Sequence, residues 1–281
     1  DGGFTDSRYA YWTDPRITPN AWTAISAIAT MGLWEGGQML KARGQDVPAE
    51  IRDRIDLGTR WLLQPGRVLR GVNEEIYADA FRIDYLARRV AAKDDPDGRL
   101  AAAAAKLVQA AAANQHATGF WAHEYPNAFC TGAMLWALLD AKDAGIEVPE
   151  EVLRKGAAAL QSARTPDGAY SYSGSAERRK SSVKDSSARM PICEGALLRL
   201  SLSSDEDFER ACQAFSDNME RIENISRNDF HSDGELGGFF FFHGMFFASE
   251  VADMLPDPQA KALKAKMAAM VPSLMELDGS F

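Results

Sequence analysis

Gln115-His-Ala-Thr-Gly119-Phe-Trp121 is a Gln, three residues, a Gly, one residue and a Trp, set between two long helical patterns. Weaker copies surround it. Gln161 leads through an insertion to Asp167-Gly168-Ala169-Tyr170, and the chain opens on Asp1-Gly-Gly-Phe4 and closes on Asp278-Gly-Ser-Phe281. Degenerate copies fall at Gln64 to Gly71 and at Gly237-Gly238-Phe239-Phe240. A polar or acidic residue, a Gly and an aromatic, repeated between helices, mark one supersecondary unit used many times.

A second repeat is independent of the first. Lys41-Ala-Arg-Gly44-Gln-Asp-Val47-Pro48-Ala-Glu50-Ile51 returns as Lys142-Asp-Ala-Gly145-Ile-Glu-Val148-Pro149-Glu-Glu151-Val152. Lys in a last helical turn with Gly just beyond ends one helix, and Pro followed by acids starts the next. Similar starts stand at Asp94-Asp-Pro96-Asp, Ser203-Ser-Asp-Glu206 and Leu255-Pro256-Asp-Pro258. They lie about 50 residues apart, the length of a helical hairpin in a repeat array.

The 281 residues can bury a large core, and no Pro/Ser/Gly-rich linker divides them, so one domain spanning 1–281 is expected. A net charge of −9 argues against a nucleic-acid partner. No apolar run reaches the roughly 20 residues that span a bilayer, so a soluble rather than transmembrane protein is expected. The chain begins at Asp1 rather than Met, which suggests a removed start and leaves secreted, periplasmic or cytoplasmic locations open. Three cysteines, Cys130, Cys193 and Cys212, make a poor disulfide framework for this length.

Helical patterns fall in pairs. The first members are 19–43, 73–93, 126–143, 187–202 and 240–254; their partners are 49–63, 96–114, 149–162, 204–222 and 257–275. First members such as 128–139 and 239–247 are apolar almost all round, whereas partners such as 152–160 carry one apolar stripe. Helices apolar on every side are buried, and striped ones cover them. The expected fold is therefore all-α, an α/α toroid of roughly five to six hairpins with inner and outer helix layers.

The Gln-x3-Gly-x-Trp element, the Asp-Gly-aromatic copies and the hairpin unit resemble the repeats of squalene/terpene cyclases and of protein prenyltransferase β subunits. The stretch Val148-Pro-Glu-Glu-Val-Leu-Arg-Lys-Gly to Arg164-Thr-Pro-Asp-Gly-Ala-Tyr-Ser-Tyr172 is similar to stand-alone bacterial members of that group. The resemblance implies a toroid with its site in a central cavity and a small-molecule or lipid-like, isoprenoid-type ligand. Its signature acids are missing. Asp94-Asp95-Pro96-Asp97 matches neither Asp-x-Asp-Asp nor Asp-Asp-x-x-Asp, and acids there suit a helix N-terminus.

The prenyltransferase comparison implies a zinc site. Cys193 and His243 lie early in two first-member helices and Cys130 at a similar depth in a third, with Glu194 as a fourth or supporting group. Pro191 stands where the family has an Asp ligand, and buried free Cys is commonly inert packing. The pattern also offers Glu75, Asp79 and Arg82 on one helix face, with Tyr77 nearby: either a carboxylate pair beside an Arg for proton transfer or ligand gripping, or a salt-bridged face. In the polar stretch 171–185, Arg178, Arg179 and Lys180 could hold a phosphate or carboxylate, or merely be solvated. Aromatics including Trp121, Tyr125, Phe129 and 239–247 suit either an apolar ligand or a core.

Three functions stay open. One is an enzyme acting on an isoprenoid-like or other small ligand, with Glu75, Asp79, Glu194 and His243 as catalytic candidates. Another is a non-catalytic binding or scaffold module of the same fold; it lacks the Gly-Cys-Gly-Glu-Gln thioester signature, so no covalent attachment is expected. The last is a carbohydrate-processing α/α-barrel enzyme, which needs a carboxylate pair across a cavity.

Overall fold

Four helices end in the same way, and that shared ending organises the fold. The computed structural model describes residues 2–4, 15–174, 181–228 and 240–274. Within them run α1 (Ile17–Ala42), α2 (Ala49–Leu62), α3 (Glu75–Ala91), α4 (Arg99–Ala113), β1 (Trp121–His123), β2 (Tyr125–Asn127) and α5 (Ala128–Asp143). Next come α6 (Glu150–Ala163), a single turn α7 (Val183–Ser186), α8 (Met190–Arg199), α9 (Asp205–Asn228), α10 (Phe241–Val251) and α11 (Asp257–Leu274). The expected pairs of helical segments are all present, and the fold class is all-α.

At the end of α1 the Gly44 amide donates to the Lys41 carbonyl and the Gln45 amide to the Leu40 carbonyl, both at 2.9 Å. This closure satisfies orphan carbonyls and needs a left-handed residue, here Gly44 at φ 71. It recurs after α5 at Gly145 (φ 81), after α3 at Lys93 (φ 59) and after α8 at Ser201 (φ 58). Each closure leads into the next helix start. Asp95 accepts from the amides of Leu100 and Ala101 at 3.0 and 2.9 Å and so anchors the start of α4, while Asp94 accepts from Trp34 Nε1 and Arg89 Nε, both at 2.9 Å.

The helix expected from 126 begins at Ala128 instead. Asn127 caps it, its Oδ1 accepting from the Cys130 amide at 2.8 Å, and the residues before it are the short strands β1 and β2 flanking Glu124 at φ 60. No period-two pattern of three residues is distinguishable in a sequence.

The chain divides into two compact units, Asp1–Ala117 with Trp121–Glu124 and Met134–Arg154, and Thr118–Phe120 with Tyr125–Ala133 and Lys155–Phe281. In the first, α3 packs against both α1 and α4, and α1 also packs against α2. α3 is buried along nearly its whole length, while α2 and α4 show alternating burial. In the second, α8 packs against α9 and α10, and α9 also meets α11. Within each unit, then, first-member helices touch one another and carry striped partners.

The Gln115 motif fastens one hairpin to the next. Gln115 Nε2 donates to the Val152 carbonyl at 3.0 Å, and Trp121 Nε1 donates to the Ala111 carbonyl at 2.8 Å. Gly119, at φ 88, lies so close to α6 that a Cβ would stand 2.3 Å from the Lys155 carbonyl oxygen. Gly2 makes the equivalent approach to Leu57 on α2, where a Cβ would stand 2.4 Å from the carbonyl oxygen. The Gln64 copy works differently, because Gln64 bonds Arg67 within its own loop. That loop is fastened to α1 by buried Asn20, which bonds Leu69 both ways at 2.7 and 2.9 Å, and by Thr23, which donates to the Arg67 carbonyl at 2.9 Å. The copies at 237–239 and 278–281, and the aromatics Tyr9, Tyr11 and Trp12, lie outside the described residues.

Candidate functional site

In the first unit, α3 brings Glu75 and Asp79 to one cation that helical spacing alone could not reveal. Arg70, in the loop before α3, pairs with Glu75 at 2.8 Å and with Asp79. Glu75 is further engaged by the Gly71 amide at 2.6 Å and by the Asn114 side chain. Asp79 is different. Its side chain is 2% exposed, and its Oδ1 is buried with no hydrogen-bond partner among the described residues. Burial pushes the Asp79 carboxyl above its ordinary range, while Arg70 and Arg82 pull it down.

Asp79 and Glu75 line a pocket of about 220 Å³, together with Asn73, Asn114, Glu124 and Trp121. A buried acceptor without a donor is costly and unusual in a native protein. Its position on a pocket wall gives it a use: a bound donor would complete it. Arg82 does not share this pocket. It turns to the end of α2, donating from Nη2 to the Leu62 carbonyl at 2.6 Å. Tyr77 packs elsewhere too, stacked on Phe81 with ring centroids 5.9 Å apart.

In the second unit the expected zinc ligands do not assemble. Among the described residues no three His, Cys, Asp or Glu side chains are placed to hold a metal. Cys130 and Cys193 are fully buried. The Cys193 thiol lies 3.5 Å from the Ala128 carbonyl, and burial, reinforced by Glu194, pushes it well above the ordinary thiol range. Such a thiol packs as a small hydrophobe. The His243 ring sits among Phe129, Phe240 and Phe247 at centroid distances of 6.1, 5.7 and 4.7 Å. Burial takes it down to about 3, so it stays neutral at physiological pH.

Glu194 is a clamp. It is 1% exposed and is held by Arg164 at 2.6 Å, the Tyr170 hydroxyl at 2.9 Å and the Ser203 hydroxyl at 2.6 Å. Arg164 also reaches Asp207 at 2.9 Å, so the repeat aromatic Tyr170 is tied to α6, α8 and α9. Both carboxylate oxygens are engaged by these three partners. Arg178, Arg179 and Lys180 lie outside the described residues.

Arg189 belongs to no motif of the sequence. Fully buried, it donates to the Tyr170 carbonyl at 3.2 Å and places its guanidinium over the rings of Phe240 and Tyr172 at 5.0 and 5.6 Å. Phe129, Tyr172 and Phe240 meet one another at 4.6 to 5.8 Å, the spacing of packed rings. Among the described residues no helix is long and apolar enough to cross a membrane. Comparisons with family models, with curated proteins and with solved structures give no match to this chain.

Proposed function

We propose that this chain is an α/α toroid of the prenyltransferase and cyclase repeat type that serves as a binding module for a small polar molecule. The fold reading is supported by the common closure of α1, α3, α5 and α8 and by the Gln115 and Trp121 bonds between successive hairpins. The observation that carries the function is the unpartnered, buried Oδ1 of Asp79 on the wall of the 220 Å³ pocket. The ligand supplies an N–H or O–H to that oxygen and contacts Asn73 and Glu124.

Its size and lining select against the other readings. An isoprenoid chain needs an apolar site at the larger end of the usual range of about 300–1,000 Å³. The aromatic rings that could steady a carbocation pack on each other instead. Two-carboxylate sugar hydrolysis needs both acids free, and Glu75 is taken by Arg70, Gly71 and Asn114.

A thermal-shift screen of small polyols and amines tests this reading on three proteins: the parent chain, Asp79→Asn and Glu124→Gln. A compound that stabilises the parent, loses its effect in Asp79→Asn and is weakened in Glu124→Gln supports it. Compounds that shift all three equally, or none that shifts the parent, reject it.

A further inference from the structure

A second cavity in the same unit, about 870 Å³, is walled by cations. Arg60 comes from α2, Arg82 from α3, Arg99 and Lys106 from α4, and Arg67 and Arg70 from the loop between α2 and α3. No carboxylate stands among its described lining residues. Arg70 is committed to Glu75 and Asp79, and Arg99 lies 3.5 Å from Asp97. Arg60, Arg67, Arg82 and Lys106 make no ion pair among the described residues.

Two of these cations are held in place. Arg67 follows Pro65 and Gly66, the latter at φ 76, so a tight turn presents it. Its guanidinium lies 4.2 Å over the Trp61 ring, and its carbonyl is pinned by Thr23. Arg82 is 9% exposed and anchored through Nη2 at the Leu62 carbonyl, which leaves its buried Nε without a partner. Arg67 Nε is likewise buried and without a partner. Guanidinium forks fixed this way suit oxyanions bidentately. The cavity volume falls within the usual range for small-molecule sites, about 300–1,000 Å³.

In a protein of net charge −9, four cations without an ion pair around one hollow repel one another, and the contacts of Arg67 with Trp61 and of Arg82 with the Leu62 carbonyl do not neutralise them. We infer that this groove binds a phosphate-bearing small molecule with at least two anionic groups, held by Arg60, Arg67, Arg82 and Lys106. Arg82 forms the floor contact, and the exposed Arg60 and Lys106 close over the ligand from α2 and α4. The groove adjoins the Asp79 pocket through Arg70, which lines the groove and pairs with Asp79.

Isothermal titration of the complete chain with inorganic pyrophosphate tests the inference. The comparison proteins are the double variant Arg60→Gln/Lys106→Gln and the charge-matched control Arg154→Gln/Lys261→Gln, all surface changes that leave the core alone. Binding to the parent, weakened at least about tenfold in the groove variant and by less than about twofold in the control, upholds it. No binding at millimolar pyrophosphate overturns it, as does equal weakening in both variants or tighter binding of a single-stranded oligonucleotide. A parallel arm uses phosphatidylcholine vesicles with and without phosphoinositide. Capture that the groove variant loses assigns the phosphate to a lipid headgroup; pyrophosphate binding without capture assigns it to a free molecule.

Discussion

Lys93 takes at the end of α3 the conformation that Gly145 takes at the end of α5, with φ of 59 and 81 and the same pair of closing hydrogen bonds. A side chain pays a penalty in that region that Gly does not. Lys93→Gly and Ser201→Gly should each stabilise the chain by about 0.5–1 kcal/mol in urea unfolding. Gly145→Ala should destabilise by a similar amount. If Lys93→Gly destabilises, the shared closure is not what holds that helix end.

Gly119 and Gly168 separate backbone strain from collision. Both have positive φ, 88 and 86, but only Gly119 faces a carbonyl oxygen that a Cβ would overlap, whereas Gly168 faces open space. Gly119→Ala should cost about 2–3 kcal/mol and Gly168→Ala about 1 kcal/mol. Equal costs would mean that the approach to Lys155 is loose.

Pairing of an acid on α3 with one on α5 should tilt stability with pH. Burial raises the Asp84 carboxyl from 3.8 to about 8 against the pull of Arg88 at 2.6 Å, and neighbouring Asp140 pushes the same way. Between those values the folded chain keeps a proton that the unfolded chain releases, so this contribution is full below about pH 4 and is lost as pH rises toward 8. Asp140→Asn should flatten the fall in unfolding free energy measured between pH 5 and 8. An unchanged slope would show that the two carboxyls do not share a proton.

Glu194 distinguishes a clamp from a catalyst. Glu194→Gln should cost about 2 kcal/mol by removing the charge that Arg164, Tyr170 and Ser203 surround. It should leave untouched any ligand response that depends on Asp79. Loss of that response with unchanged stability would restore Glu194 as a functional group.

Helix positions were legible because burial leaves one apolar stripe on partner helices such as α6 and an apolar run on first members such as α5. The closures at Gly44 and Gly145 were legible through Gly itself. Those at Lys93 and Ser201 were not, since a residue that tolerates strain carries no mark of it. The carboxylates of α3 stood out by helical spacing, but Arg70 joins them from a loop, where spacing predicts nothing. Cys130, Cys193 and His243 lie on separate helices, and depth along a helix leaves rotation about its axis undetermined. The cationic groove was hidden for the same reason: its residues come from three helices and a loop, and none forms a run.

A crystal structure at atomic resolution would decide whether Asp79 Oδ1 holds a ligand. Density is expected for a molecule larger than water, with a donor atom about 2.7–3.2 Å from that oxygen and further contacts to Asn73 or Glu124. A protein N–H already bonded to Oδ1, or a single water in a pocket that has closed, would contradict it.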